Sequence, residues 1–272
     1  MGRQILAYDC NRFAYRIFRI LLRVVLLSKS RRDVWLEKFW IGAFDLPTFM
    51  PTSISRSYRR KCWSVLLSKW YDEPKVSECM SSIRGELYVD VGASFGHYLR
   101  LLSRNFRSMM AIEADPTVFR FLVENMPRNC RAMNAAVSNK NGEANFHVPL
   151  GHYNFGVGSL LPAQQRVSWT NPASYRTFAV RTITLDRLLS TERHVDLVKV
   201  DVEGAEKLVL LGATNVMTKI DRWLIEIHIP IERKTITQIM TRNRYRTNRL
   251  DGNHYLFERK TKVNLTKQTR LA

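Results

Sequence analysis

One stretch constrains this chain more than any other, residues 87–113. Leu87-Tyr88-Val89-Asp90-Val91-Gly92 reads as a short apolar strand ending in an acid and a glycine. Gly96 follows four residues later and opens a helical run from His97 to Asn105. Met109 to Glu113 reads as a second buried strand ending in an acid, and Asp115-Pro116 starts a helix through about Asn125. Strand, glycine turn, helix, strand, acid is the plan of one half of a doubly wound α/β sheet, which binds ligands at the carboxyl ends of its strands. The glycines allow a tight turn and close approach of a ligand to the backbone, and the helix N-terminus faces it. Glu113 lies 17 residues beyond Gly96, placed for the two hydroxyls of a ribose.

The glycine loop separates ligand classes. A dinucleotide site calls for G-x-G-x-x-G to admit a pyrophosphate. Here the loop is Asp90-Val-Gly92-Ala-Ser94-Phe-Gly96, with a carboxylate at the strand tip where a diphosphate would be repelled. That acid suits a cationic ligand such as the amino group and sulfonium of S-adenosylmethionine. Cys10, Cys62, Cys79 and Cys130 are scattered without C-x-x-C or zinc-finger spacing, as expected of reduced structural thiols.

Further motifs follow in order. Asp90-Val-Gly-Ala-Ser-Phe-Gly-His-Tyr98 resembles the first motif of the FkbM family of class I S-adenosylmethionine-dependent methyltransferases, and Ala111-Ile-Glu-Ala-Asp-Pro116 its second. Asn134-Ala135-Ala-Val-Ser138, Asn141-Gly-Glu143 and Thr184-Leu-Asp-Arg-Leu-Leu189 are similar to later segments of that family. Val198-Lys-Val-Asp201-Val-Glu203-Gly-Ala-Glu206, Leu210-Leu-Gly-Ala213 and Leu224-Ile-Glu226-Ile-His228 complete the series. The resemblance spans roughly 85–260. It departs at Ser94, where the family usually carries Asn; serine still offers a hydroxyl. It implies a Rossmann-like α/β fold, with a mostly parallel seven-stranded sheet and an antiparallel C-terminal strand. It also implies S-adenosylmethionine as cofactor, held by Asp90, Gly92, Ser94, Gly96, Glu113 and Ala135.

The acceptor chemistry is expected one strand over. Val195–Val202 reads as an apolar strand that delivers Asp201 to the ligand-binding rim, with Glu203 and Glu206 in the turn and first helical turn beyond it. Arg222–His228 reads as its neighbour, bringing Glu226 and His228 to the same rim. Asp201, Glu203, Glu226 and His228 are the candidate catalytic residues. A carboxylate ending a buried strand needs a partner, so Asp201 is expected to position the acceptor or take its proton. His228 is either a general base at neutral pH or a satisfied structural histidine. Glu203 and Glu206 could instead offset a helix dipole. An oxygen-rich metal site on Asp201, Glu203, Glu226 and His228 is chemically reasonable. The spacing matches no recognised ligand pattern, and no metal is assigned.

Between the third and fourth strands, Pro149–Ala179 is long enough to be a lid, a binding loop or a β-hairpin laid over the sheet. Tyr245–Arg249 and Tyr255–Arg259 flank Asp251-Gly252 and read as a closing hairpin.

Charge sits on the flanks. Net charge is +19, with +8 in residues 1–86, +3 in 87–228 and +8 in 229–272. Such an excess implies affinity for anionic partners. Arg12, Arg16, Arg19 and Arg23 form one helical stripe beside an apolar face. That helix either lies on an anionic membrane through residues 12–27 or packs on the domain. Its apolar run is too short to span a bilayer and no cleavage site follows, so a cytoplasmic protein, peripheral at a membrane in the first reading, is expected. Residues 1–84 are expected to be a helical basic segment with Trp35, Phe39, Trp40, Trp63 and Trp70 as packing anchors. Residues 85–260 are expected to form the methyltransferase-like domain and 261–272 a basic tail. The leading functional expectation is O-methylation of a small-molecule, glycan or lipid hydroxyl. The alternatives are an RNA methyltransferase drawn in by the basic flanks, or a non-enzymatic membrane or nucleic-acid adaptor.

Overall fold

The computed structural model describes residues 73–150, 157–162 and 175–260. The Arg12–Arg23 stripe, the tryptophan-rich stretch before residue 72 and the tail from 261 lie outside the described residues.

The chain enters through α1 (Pro74–Ser82), with proline in the first turn where no amide is needed. The first half of the sheet follows as β1 (Gly85–Val91), α2 (His97–Leu102), β2 (Phe106–Glu113), α3 (Pro116–Asn125) and β3 (Cys130–Asn134). Next come β4 (Ala136–Val137), β5 (Gly142–Pro149) and β6 (Tyr175–Ile183). The second half is α4 (Leu185–Leu188), β7 (Leu197–Val200), α5 (Glu206–Leu211), β8 (Arg222–Glu226), α6 (Arg233–Arg242), β9 (Tyr245–Asp251) and β10 (His254–Arg259). Seven strands form the main sheet in the order β3-β2-β1-β7-β8-β10-β9. β10 runs antiparallel to both neighbours, and the pairings from β3 to β8 are parallel. This is the expected sheet with its antiparallel C-terminal strand. β4, β6 and β5 make a smaller sheet, in which β5 and β6 are the paired base of the 149–179 excursion.

Central strands buried on both faces explain the near-continuous apolar runs. Leu87, Val89 and Val91 enter one core cluster and Tyr88 enters the other, because successive side chains alternate across a strand. The second cluster also takes Val76, Met80 and Ile83, so the packed core reaches back into α1. Among the described residues no helix is long and apolar enough to cross a membrane.

Element ends differ from the sequence expectation in three places. α2 stops at Leu102 and not Asn105, because the Asn105 side chain turns to donate to the Ser81 and Ile83 carbonyls, each at 2.9 Å. β7 stops at Val200, so Asp201 and Val202 are freed from the ladder, although the Asp201 amide still donates to the Val91 carbonyl at 3.0 Å. β8 stops at Glu226, which leaves His228 in the loop beyond the strand tip.

Candidate active site

The β1–α2 loop is shaped by backbone geometry. Gly92 has φ of 79°, and a Cβ there would come within 1.8 Å of the Asp201 carbonyl oxygen. The loop therefore packs directly on the end of β7 and accepts no side chain at this point. Ser94 also lies in the left-handed region, at φ 50°, where Asn is among the best-tolerated residues other than glycine. This turn aims the Ser94 amide at Glu113 Oε2, 2.9 Å away, while the Asp115 amide donates to Oε1 at the same distance. The Glu113 carboxylate is thus oriented by main chain from two loops. Each oxygen keeps a second lone pair. Burial pushes this carboxyl up to about 7, against the pull of those amides.

Asp90 sits beneath the loop. It is register partner to Lys199 across β1 and β7, and their side chains share the interior face. The Lys199 ammonium is 3.8 Å from Asp90 Oδ1 and 3.0 Å from Asp201 Oδ2, and lies over the Tyr98 ring at 5.1 Å. Asp90 Oδ1 has no hydrogen-bond partner. Burial raises Asp90 to about 6 despite the ammonium. Lys199 is pushed above its ordinary range: burial acts to lower it, but Asp201 and Asp90 outweigh that effect.

Beyond β7 the candidate catalytic residues converge on His228. Its Nδ1 is 2.8 Å from Glu206 Oε1, which also accepts the Gly204 amide at 2.9 Å. Its Nε2 faces Glu226 Oε1 at 3.4 Å, Glu203 Oε2 at 3.6 Å and Asp201 Oδ1 at 3.9 Å. Glu203 reaches inward from a left-handed backbone, φ 54°, followed by Gly204 at 104°. Non-glycine residues held in that region cluster at functional sites. Burial works to lower His228, but the Glu206 hydrogen bond and the surrounding carboxylates raise it to about 11. Of the two readings of His228, these surroundings favour the hydrogen-bonded structural histidine, because the neighbouring carboxylates stabilise the protonated ring. Burial raises Glu203 to about 7, and Lys199 and His228 together hold Asp201 below the usual range against burial.

A second ring of charge adjoins the first through Glu226, whose Oε2 lies 3.2 Å from His254 Nε2. His254 is the register partner of Glu226 across β8 and β10. Its Nε2 also meets Glu73 Oε1 at 3.4 Å, and Glu73 accepts a short hydrogen bond from the Tyr98 hydroxyl. Sequence reasoning passed over Glu73, Tyr98 and His254. Glu73 lies before the expected domain boundary, and nothing local to His254 marks its partner.

One cleft of about 870 Å³, counted out to its open mouth, joins the two halves. Gly92, Ser94, Glu113, Ala135, Asp201 and Glu203 line it. Asp90, Gly96, Glu226 and His228 do not line it. From the long excursion, Val157, Gly158 and Leu160 cover the cleft, held by paired backbone hydrogen bonds between Ser159 and His147 at 2.8 and 3.0 Å.

The family model described as "Methyltransferase FkbM domain" matches residues 90–247. Among curated proteins, the hexuronic acid methyltransferase AglP of Haloferax volcanii is 26% identical over 158 residues, 56% of this chain and 60% of that protein. The chain therefore spans less than two thirds of the length of this relative. Among solved structures, the methyltransferase FkbM from Methylobacillus flagellatus aligns at 14% identity and a TM-score of 0.44. That alignment covers 76% of this chain and 56% of the other. TrmK of M. capricolum, solved with S-adenosylhomocysteine, aligns at 10% identity and a TM-score of 0.40 over 69% of this chain and 68% of that one. The fold assignment rests on the strand order itself.

Proposed function

The chain belongs to the FkbM methyltransferase family, and on that premise we propose that it transfers the methyl group of S-adenosylmethionine to a hydroxyl of a sugar acid. The observation that carries this reading is a single cleft walled on one side by the Gly92 loop and Glu113 and on the other by Asp201 and Glu203. The residues fit such a donor. Glu113 keeps lone pairs for two ribose hydroxyls, Gly92 presents bare backbone, and buried Asp90 Oδ1 lacks a hydrogen-bond partner near the loop. The donor supplies a methyl group on a positively charged sulfur.

The protein's own work is alignment and proton removal. Asp201, fixed by Lys199 through Oδ2, accepts a hydrogen bond from the acceptor hydroxyl and orients it. Among the described residues Glu203 pairs with no lysine or arginine, and it lines the cleft, so it takes the proton. His228 and Glu206 hold the carboxylates in place from behind. The Val157–Leu160 segment, which lines the cleft, excludes water. The sugar-acid acceptor follows the hexuronic acid named for the relative from Haloferax volcanii.

Transfer of labelled methyl from S-adenosylmethionine is the test, with a hexuronic-acid oligosaccharide, a neutral oligosaccharide, lipid and RNA as parallel acceptors. Label in the acidic glycan, stable to base as an ether is, supports the reading. Label in RNA alone, or no donor binding by calorimetry, overturns it.

A further inference from the structure

The cluster around His228 has an arrangement that hydrogen bonding alone does not explain. Three carboxylate oxygens face Nε2 at 3.4–3.9 Å, and none of them makes a hydrogen bond with it, although the side chain is only 10% exposed. Two of the three carboxylates are held from outside by their other oxygen. Asp201 uses Oδ2 on Lys199 and points Oδ1 inward; Glu226 uses Oε2 on His254 and points Oε1 inward. His228 itself is oriented at Nδ1 by Glu206, which leaves Nε2 as the inward atom. A carboxylate on the far nitrogen, and partners on the far oxygens, is how proteins orient metal ligands.

From this geometry we propose that Asp201 Oδ1, Glu203 Oε2 and His228 Nε2 form a binding site for one divalent cation of the Mn²⁺ or Mg²⁺ class, with Glu226 Oε1 3.4 Å from His228 Nε2 at its edge. One nitrogen and two carboxylate oxygens suit such hard or borderline ions. The ligand atoms of Asp201, Glu203 and His228 lie within 4.8 Å of one another. Bonds of about 2.1 Å allow at most about 4.2 Å across a shared cation, so closure needs a shift of a few tenths of an ångström. Three protein ligands leave open positions. Because Asp201 and Glu203 line the cleft, those positions are reached from it. A sugar hydroxyl beside a carboxylate is a bidentate ligand for such a cation, which would polarise the O–H bond. Glu203 binds through Oε2 and keeps Oε1 for the proton. This role rests on the proposed methyl transfer, but the binding does not.

The test is titration of the chelator-treated full chain with Mn²⁺, read as loss of the free-ion paramagnetic resonance signal, beside calorimetry of S-adenosylmethionine. We expect about one tightly bound Mn²⁺ per chain, competed by Mg²⁺. Glu203→Gln and His228→Ala should each weaken Mn²⁺ at least about tenfold. Glu206→Gln, which touches no metal, should cost roughly 10–100-fold. Asp221→Asn, in a separate cluster with His194 and Asp196, should change nothing. Donor affinity should stay within about threefold throughout, which also reports that the variants fold. Absence of Mn²⁺ binding in a chain that binds the donor overturns the site. So does binding indifferent to both Glu203→Gln and His228→Ala. Mn²⁺ binding without donor binding supports the site and overturns the methyltransferase reading.

Discussion

The two walls of the cleft are built differently. On the β1–β3 side, the functional carboxylate is positioned by main chain: Glu113 is held by the Ser94 and Asp115 amides, and the loop is set by the left-handed Gly92 and Ser94. Its parts lie within residues 90–115. On the β7–β8–β10 side, side chains position side chains. Lys199, Asp201, Glu203, Glu206, Glu226, His228, His254 and Glu73 form a chain of charges drawn from the 182 residues between 73 and 254 inclusive. A wall made of backbone can lose one side chain and keep its shape. A wall made of paired charges cannot, because each group is the partner that makes its neighbour's burial tolerable.

Substitutions that remove one charge at a time would break or sharpen this contrast. The largest expected effect is on turnover: Glu203→Gln should lower kcat by about 10²–10⁴, the usual worth of a general base, with donor affinity nearly unchanged. Equal losses in both quantities would mean that the two walls are not separable. Lys199→Met should come next, on stability. It strands Asp90 and Asp201 around a side chain only 5% exposed, so a cost of about 3–5 kcal/mol is expected in denaturant melts. A loss under about 1 kcal/mol would show that the charged wall is more plastic than its geometry suggests.

Glu113→Ala should cost about 10–100-fold in donor affinity, since charge-assisted hydrogen bonds are lost, and should spare the fold because the loop is backbone-made. The same residue sets a pH dependence. Its pKa stands at about 7, raised by burial, and the ionised form accepts the donor's hydroxyls. Donor affinity should therefore rise with pH up to about 7 and flatten above, falling roughly tenfold per unit below. Calorimetry at several pH values checks both the slope and its loss in Glu113→Ala.

The smallest effect concerns the Glu73–His254 pair. Burial raises Glu73, but the His254 and Tyr98 hydrogen bonds outweigh it and hold it at about 2, against an ordinary 4.5. His254, lowered by burial but raised more by Glu226 and Glu73, stands at about 10 against 6.5. The Glu73 contribution to stability is complete above pH 4.5 and is lost as pH falls towards 2. The His254 contribution is complete below pH 6.5 and is lost as pH rises towards 10. Thermal midpoints should plateau between these limits, and Glu73→Gln should flatten both limbs. An unchanged profile would detach α1 from the charge network.

Much of this was legible beforehand. Asp115 caps α3 through the Thr117 amide at 2.7 Å, as Asp-Pro before an apolar run foretells. The glycine spacing placed Gly92 and Glu113 on one cleft. The rim position of Asp201, Glu203, Glu226 and His228 followed from apolar strands ending in acids. Which of the two readings of His228 applies was not legible, because its basicity depends on Glu206, which it touches across 22 residues, and on other acids around the ring. It also missed Glu73 and Tyr98, which meet only after α1 folds back onto α2.

What the sequence determined by itself is therefore local: strand and helix identity, the turn that only small or left-handed residues allow, and the acid at each strand tip. These depend on interactions a few residues long, in which periodicity and backbone sterics are written residue by residue. The tertiary structure alone decided which cation each acid faces, and that carboxylates from three parts of the chain gather around the His228 ring. Coulombic interaction and desolvation depend on distance and burial. Neither can be read from separation along the chain.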